Sequence, residues 1–403
     1  MPYNFDKGFT LSTIQTFQGV AMQACPSWVE VSLTALRHNF RTVLGYVQPE
    51  ATVCAVVKSD AYGHGLLRCA LAMQEEGAKW FAVTRAEEGI ELREAGITAR
   101  ILLLEGLWRG EEEAIVEHDL TPTIWDWNHI ELLENAAERL KINRRIPVHV
   151  KINSGMNRLG VDLKDLDGLL EAIQSAPHIQ LEGAFSHFAA SEIVDSPKGE
   201  MQIQRFQEAL DKMAAAGLQP SIQHMANSAA IVSRSNSWFN LVRPGISLFG
   251  YYLPLTSVIS GRADQSLELP VKPVLSWKTR IIQIRDVEAG QMVGYSSGYV
   301  TEFPTRIAVL TVGYSDGLNR QLSSRGRVIV HNDYASIIGN ISMNLTAIDV
   351  TGIPGVEVGD EVTIIGETPT RQITAWEHAN LASTIPYDIL CNISSRLPRK
   401  YVK

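Results

Sequence analysis

Eight short apolar runs in the first two-thirds of the 403-residue chain constrain the fold more than any other feature. They are TVCAVVK (52–58), WFAVT (80–84), RILLLE (100–105), LTPTIW (120–125), VHVKIN (148–153), QLEGAFSH (180–187), SIQHMAN (221–227) and LVRPGISLFG (241–250). Most are near-continuously apolar rather than alternating, the pattern of parallel strands buried on both faces. Helix-like stretches separate them. RAEEGIELREAG ends on Gly96 and SPKGEMQIQRFQEALDKMAAAG on Gly217, where C-capping glycines belong. Eight such units fit a (β/α)8 barrel, which takes roughly 250 residues. An open doubly wound sheet is the alternative, because periodicity does not settle closure.

Beyond about residue 265 the texture changes to short β-branched runs punctuated by Gly, Pro and Asn-Asp, such as KTRIIQIRDV, RIAVLTVGYSDG and DEVTIIG. These read as an antiparallel β-domain. The expected organisation is therefore α/β: an extension over 1–26, a TIM-like (β/α)8 barrel over 27–265, and a mostly antiparallel β-domain over 266–403. A net charge of -8 argues against nucleic acid or an anionic membrane as the main partner. The four cysteines form no CxxC pair, so neither a disulfide framework nor a zinc site is expected. The first 26 residues have no continuous apolar core of a signal peptide, and no run is long enough to span a membrane. The expected location is cytoplasmic.

In a (β/α)8 barrel the chemistry sits at the C-terminal ends of the strands. Those ends carry Lys58, Lys151 with Arg158 just beyond, His187, Asn227-Ser228 and Arg243-Pro244-Gly245-Ile246. Taken alone, Lys58 reads as the solvated end of an edge strand. Its company changes that. A lysine attacks a carbonyl only as the free amine, a form that burial and neighbouring cations favour. A Schiff base with pyridoxal phosphate is a natural use of such a lysine. Ser228, the backbone around Gly245-Ile246 and tyrosine hydroxyls offer a cradle for a phosphate dianion. No GxxxxGK[ST] or GxGxxG segment is present, so nucleotide readings lose ground.

AVVKSDAYGHG (55–65) resembles the cofactor-lysine motif of the alanine racemase family, usually written with Ala-Asn or Ala-Asp where this chain has Ser59-Asp60. KINSGMNRLG, FSHFA, ANSAA, VRPGISLFG, VGYSSGY, VGYSDG, GNISMN and IPYDILC follow in the family's order, from about Trp28 to Tyr401. The resemblance implies a pyridoxal-phosphate-dependent isomerase acting on a small amino acid, a head-to-tail homodimer whose active site is shared between subunits, and D-alanine supply for peptidoglycan. It gives Lys58 the Schiff base and the role of base toward the D-enantiomer. Tyr295 becomes the base toward the L-enantiomer, from the other subunit. Two bases on opposite faces are what racemisation requires. Arg243 faces the pyridine nitrogen and leaves it unprotonated, since a guanidinium does not yield a proton. His187 links that arginine to Tyr295, and Arg158 pairs with the substrate carboxylate. Lys151 matches a lysine often carbamylated. Tyr62, Ser228, Gly245, Ile246 and Tyr387 match the phosphate cradle, and Tyr314 and Met343 the approach and carboxylate site. His64 matches the motif without a catalytic step and is expected to be structural.

Further positions depart from the family's pattern: Gly294-Tyr295-Ser296 stands where Ser-Tyr-Gly is usual. Asn340 and Asn344 stand where an arginine and an aspartate are usual, and Asn153 stands where aspartate is usual. The lost charge points to a wider substrate range, with serine, lysine or arginine accepted. Two further readings use the same cofactor. A decarboxylase would place an acidic residue at the ring nitrogen and a cysteine acid in the β-domain, against Arg243 and Ser342. A non-enzymatic carrier would be a barrel alone.

Overall fold

The computed structural model describes residues 25–263 and 265–403. Two compact units divide them. One comprises residues 32–274 with 402–403, the other 25–31 with 275–401.

The smaller unit is built on a nine-stranded sheet. It includes the first strand among the described residues, β1 (Trp28–Ser32), which pairs antiparallel with Leu275–Val287, Trp28 opposite Lys278.

The larger unit holds eight strands: β2 (Thr52–Val56), β3 (Trp80–Val83), β4 (Arg100–Leu103), β5 (Thr121–Ile124), β6 (Ile146–Lys151), β7 (Ile179–Phe185), β8 (Ile222–His224) and β9 (Leu241–Val242). Each falls within or across one of the eight apolar runs, in the same order. They pair in parallel in the order β8-β7-β6-β5-β4-β3-β2-β9. The ring closes through a parallel bridge between Asn227, beyond β8, and Arg243, beyond β9. That settles the barrel against the open sheet. Its wall is dry: Val53, Ala55, Phe81, Ile101, Leu102, Val148, Val150 and Ala184 are all essentially inaccessible. Gly96 and Gly217 follow the helices Ala86–Glu94 and Pro197–Ala215 with φ of 87° and 73°, the left-handed conformation that glycine enters without a Cβ penalty.

The smaller unit carries the remaining strands: β10 (Leu275–Val287), β11 (Thr305–Leu310), β12 (Arg327–Val330), β13 (Asp333–Ile338), β14 (Thr346–Asp349), β15 (Glu361–Glu367), β16 (Gln372–Ile373) and β17 (Arg399–Val402). Pairings among β10 to β16 are antiparallel. Among the described residues no helix is long and apolar enough to cross a membrane.

Candidate active site

Lys58 does not end a strand. β2 stops at Val56, and Lys58 opens a turn in which Ser59, Asp60, Ala61 and Tyr62 have φ between 51° and 55° and ψ between 39° and 54°. This is a left-handed helical turn made of side-chain-bearing residues, a conformation that costs about 1–2 kcal/mol per residue. No periodicity reveals it, so the sequence reads as strand end. Hydrogen bonds hold the turn. Ala61 N donates to Val57 O at 2.8 Å and Gly65 N to Asp60 O at 2.9 Å. Ser59 N donates to Glu88 Oε1 at 2.6 Å, and the Asp60 carboxylate accepts from Leu66 N at 2.7 Å, tying the turn to the next helix. His64, fully buried, directs Nδ1 to the carbonyls of Ala61 and Tyr62 at 3.0 and 2.9 Å.

Tyr62 reaches from this turn to Gly245. A Cβ at position 245 would lie 2.3 Å from the Tyr62 hydroxyl, so only glycine leaves room. Ser228 joins them: its Oγ accepts from Gly245 N at 2.9 Å and from Ser247 N at 3.3 Å. Asn227 caps the short helix Ser228–Ser233 by accepting from Ala230 N at 3.1 Å, which fixes Ser228 at its first position. Tyr62, Ser228, Gly245 and the neighbouring Ile246 thus lie together at one side of the barrel mouth.

Arg243 is buried, only 4% exposed, and neutral acceptors surround it. It donates to His224 Nδ1 at 2.5 Å, Ser186 O at 2.8 Å, Met225 O at 3.2 Å and His187 Nδ1 at 3.3 Å. Burial lowers its pKa to about 10, so it remains a cation at neutral pH. Taking a cation out of water costs several kcal/mol unless acceptors repay it. Four acceptors do so here. Burial, followed by the positive charges of Arg243, Lys151, Arg158 and Lys58, drives His187 well below the ordinary histidine range, leaving it neutral.

Lys151 ends β6 and donates to Leu104 O at 3.2 Å. Burial and the neighbouring Arg243, Arg158 and Lys58 outweigh Glu105 and lower its pKa to about 8. Lys58 Nζ lies 4.0 Å from Glu105 Oε1. Glu105, at the end of the RILLLE run, belongs beside the two lysines and was not among the expected site residues. Arg158 follows a loop organised by Asn153, whose Oδ1 accepts from Gly155 N at 3.2 Å and Asn157 N at 3.0 Å. The Asn153 amide also donates to Asp162 Oδ1 at 2.7 Å, which an ionised aspartate at this position could not do.

The smaller unit carries Tyr295, Tyr314, Met343 and Tyr387. Tyr295 is 71% exposed, Met343 56% and Tyr314 44%. Tyr295 opens a tight turn with Ser296 at φ 61°. Asn340 Nδ2 donates to the Tyr295 carbonyl at 2.9 Å, and Asn344 Nδ2 to Ser315 Oγ, next to Tyr314, at 2.8 Å. Both asparagines therefore brace loops that carry candidate tyrosines. Tyr387 lies in the helix Pro386–Cys391.

Comparison with known proteins agrees with this arrangement. Residues 31–253 match the family model "Alanine racemase, N-terminal domain" and residues 274–401 match "Alanine racemase, C-terminal domain". The alanine racemase of Syntrophobacter fumaroxidans is 40% identical over 371 residues, covering 91% of this chain and 95% of that protein. The structure of alanine racemase from Clostridium difficile 630 superposes with a TM-score of 0.87 at 32% identity, covering 94% and 96%. That from Bartonella henselae, solved with covalently bound pyridoxal phosphate, gives 0.81 at 28% identity, covering 94% and 100%. With both domains matched in order and the barrel-mouth residues gathered as described, the chain belongs to the alanine racemase family.

Proposed function

We propose that the protein interconverts L- and D-alanine with pyridoxal 5'-phosphate, using Lys58 and Tyr295 as its two bases. The observation that carries this reading is the Tyr62–Ser228–Gly245 cradle, whose tyrosine comes from the same left-handed turn that Lys58 opens. The residues fit the cofactor. Tyr62, Ser228, Gly245, Ile246 and Tyr387 would hold its phosphate, Lys58 its aldehyde carbon, and Arg243 its ring nitrogen. When bound, the cofactor supplies the electron sink that makes the α-proton of an amino acid removable.

The chain's own groups do the rest. Arg243 offers the ring nitrogen a donor that keeps its protons, so it orients the ring without acidifying it. The Lys58 amine takes the proton from D-alanine or returns it to that face. The Tyr295 oxygen does the same for L-alanine on the opposite face. Neutral His187 accepts from Arg243 and is the bridge toward Tyr295. Arg158 pairs with the substrate carboxylate, and Met343 and Tyr314 line the approach. With a pKa near 8, a larger fraction of Lys151 than of an ordinary lysine is the free amine that adds carbon dioxide, losing a proton as it does so. The resulting carbamate would replace a repelling cation beside Arg158 with an attracting anion.

Tyr295, Tyr314 and Met343 are exposed on a single chain. That exposure supports a homodimer in which a second copy completes the site, as the family resemblance implies. A cytoplasmic enzyme supplying D-alanine for peptidoglycan is the corresponding biological role. A wider substrate range remains a second reading, favoured by the missing charges at Asn340 and Asn344. Assaying racemisation of L-alanine, L-serine, L-lysine and L-arginine with added pyridoxal phosphate decides between them. A preference for alanine of more than a hundredfold eliminates the wider range. Absence of racemisation eliminates the racemase reading, and full activity in Lys58→Ala eliminates Lys58 as its Schiff-base lysine and base.

A further inference from the structure

Behind Arg243 a line of side chains runs through the barrel core. Its Nη1 donates to His224 Nδ1 at 2.5 Å. His224 Nε2 is 2.9 Å from His149 Nδ1. His149 Nε2 lies 3.4 Å from Glu182 Oε2, which accepts from Arg100 Nη2 at 2.6 Å. Both histidines are fully buried.

The chemistry gives this line one direction. A guanidinium only donates, so His224 Nδ1 accepts. A neutral His224 then carries its proton on Nε2 and donates to His149 Nδ1. His149 in turn carries its proton on Nε2, which lies 3.4 Å from the Glu182 carboxylate without completing a hydrogen bond to it. Burial, with the charge of Arg243 adding to it, keeps His224 neutral. Burial likewise lowers His149 despite the opposing pull of Glu182.

Two backbone features exist for this line. β6 pairs Val148 with Leu181 and then His149 with Gly183, so Glu182 is an extra, bulged residue of β7. A bulge re-aims a side chain out of the regular alternation. Gly183 clears the space for the ring: a Cβ there would lie 2.5 to 2.6 Å from three His149 ring atoms. Phe185 stacks flat on His224, with centroids 4.8 Å apart and planes at 4°, and Trp80 flanks His149 at 5.4 Å.

We propose that His224, His149 and Glu182 are positioning residues that fix the direction of the Arg243 guanidinium, with the Glu182–Arg100 pair as the anchor of the line. This rests on reading Arg243 as the partner of the cofactor ring nitrogen. The line reaches from the start of β4 to just beyond the end of β9, so residues near the N-terminal ends of the strands control an active-site cation at the C-terminal ends.

The test begins with 15N-histidine NMR of the protein with and without pyridoxal phosphate, assigned with His149→Gln and His224→Gln. Neutral Nε2–H tautomers at both positions at pH 7 are expected. An Nδ1–H tautomer or an imidazolium at either overturns the proposal. Gly183→Ala and Glu182→Leu are then loaded with cofactor. Each is expected to remain folded and yellow, with KM for alanine unchanged and kcat lowered roughly 10- to 100-fold, the effect of misplacing an active-site group by about an ångström. Glu182→Gln, which keeps an acceptor, should recover most of the loss. Wild-type kcat in both Gly183→Ala and Glu182→Leu overturns the relay alone. Failure of the wild-type protein to take up pyridoxal phosphate overturns the reading of Arg243 and the proposal with it, whatever the tautomers.

Discussion

The Tyr62 hydroxyl and the α-carbon of Gly245 are neighbours across the barrel mouth, so close that a methyl group on residue 245 would sit 2.3 Å from the oxygen. One partner comes from the turn after β2 and the other from the segment after β9. Those strands are adjacent in the barrel, with Thr52 opposite Leu241. The pairing of β2 with β9 therefore brings a tyrosine and a glycine 183 residues apart in sequence side by side.

Gly245→Ala should displace Tyr62 and weaken cofactor binding while leaving the fold intact. Overpacking of this kind costs about 1–3 kcal/mol, which corresponds to a roughly 5- to 150-fold rise in the Kd for pyridoxal phosphate. Titration followed by absorbance measures it, with circular dichroism as the folding control. An unchanged Kd would show that the cradle lies elsewhere.

Lys151 should carry a carbamate. Its pKa near 8 makes the amine available to carbon dioxide close to neutral pH, and Arg158 favours the anionic product. Supplying 13C-bicarbonate at pH 8 should produce a protein-bound carbamate signal in 13C NMR. The signal should be absent in Lys151→Met and should fade as the pH drops below the lysine's pKa. A signal that survives in Lys151→Met contradicts the assignment.

Acid should destabilise the protein through its buried histidines. His149 and His224 stay neutral in the folded state below their ordinary range, whereas an unfolded histidine takes up a proton near pH 6.5. The unfolded chain then binds more protons, so stability present above about pH 6.5 is lost as the pH falls. Each such group contributes up to about 1.4 kcal/mol per pH unit. Urea denaturation at pH 7.0 and 5.5 should show a lower midpoint at 5.5. The drop should be smaller in His224→Gln, and an equal drop would remove His224 as a cause.

Asn340→Ala removes the donor that holds the Tyr295 carbonyl. On an exposed loop the hydrogen bond is worth about 0.5–1.5 kcal/mol, so thermal stability should change little. If Tyr295 is a base, as proposed, the effect should fall on kcat, lowered a few-fold because its loop is held less firmly. A large loss of Tm with unchanged kcat would make Asn340 a folding residue only.

Much of this was legible in the sequence. Each barrel strand lies on one of the apolar runs, because a strand buried on both faces has to be apolar along its length. Gly96 and Gly217 marked helix ends because only glycine enters the left-handed region freely. The turn after Val57 was hidden, since Ser59, Asp60, Ala61 and Tyr62 carry no sign of positive φ. It exists because Val57, Glu88 and His64 hold it. His149 and His224 were hidden too, each one polar residue among several in VHVKIN and SIQHMAN, and they pair only once the barrel brings β6 and β8 to either side of β7. The interruption of an apolar run by histidine was the available signal. Ring closure was beyond reach, because it depends on the Asn227–Arg243 bridge and not on any local pattern.

The two-base account is tested most directly by Tyr295→Phe, loaded with pyridoxal phosphate and incubated in D2O with each enantiomer of alanine. NMR then follows exchange at the α-carbon. If Tyr295 serves the L-face and Lys58 the D-face, the variant keeps its colour, still exchanges the α-proton of D-alanine, and loses both α-exchange of L-alanine and racemisation. Exchange of L-alanine at the wild-type rate would contradict the account.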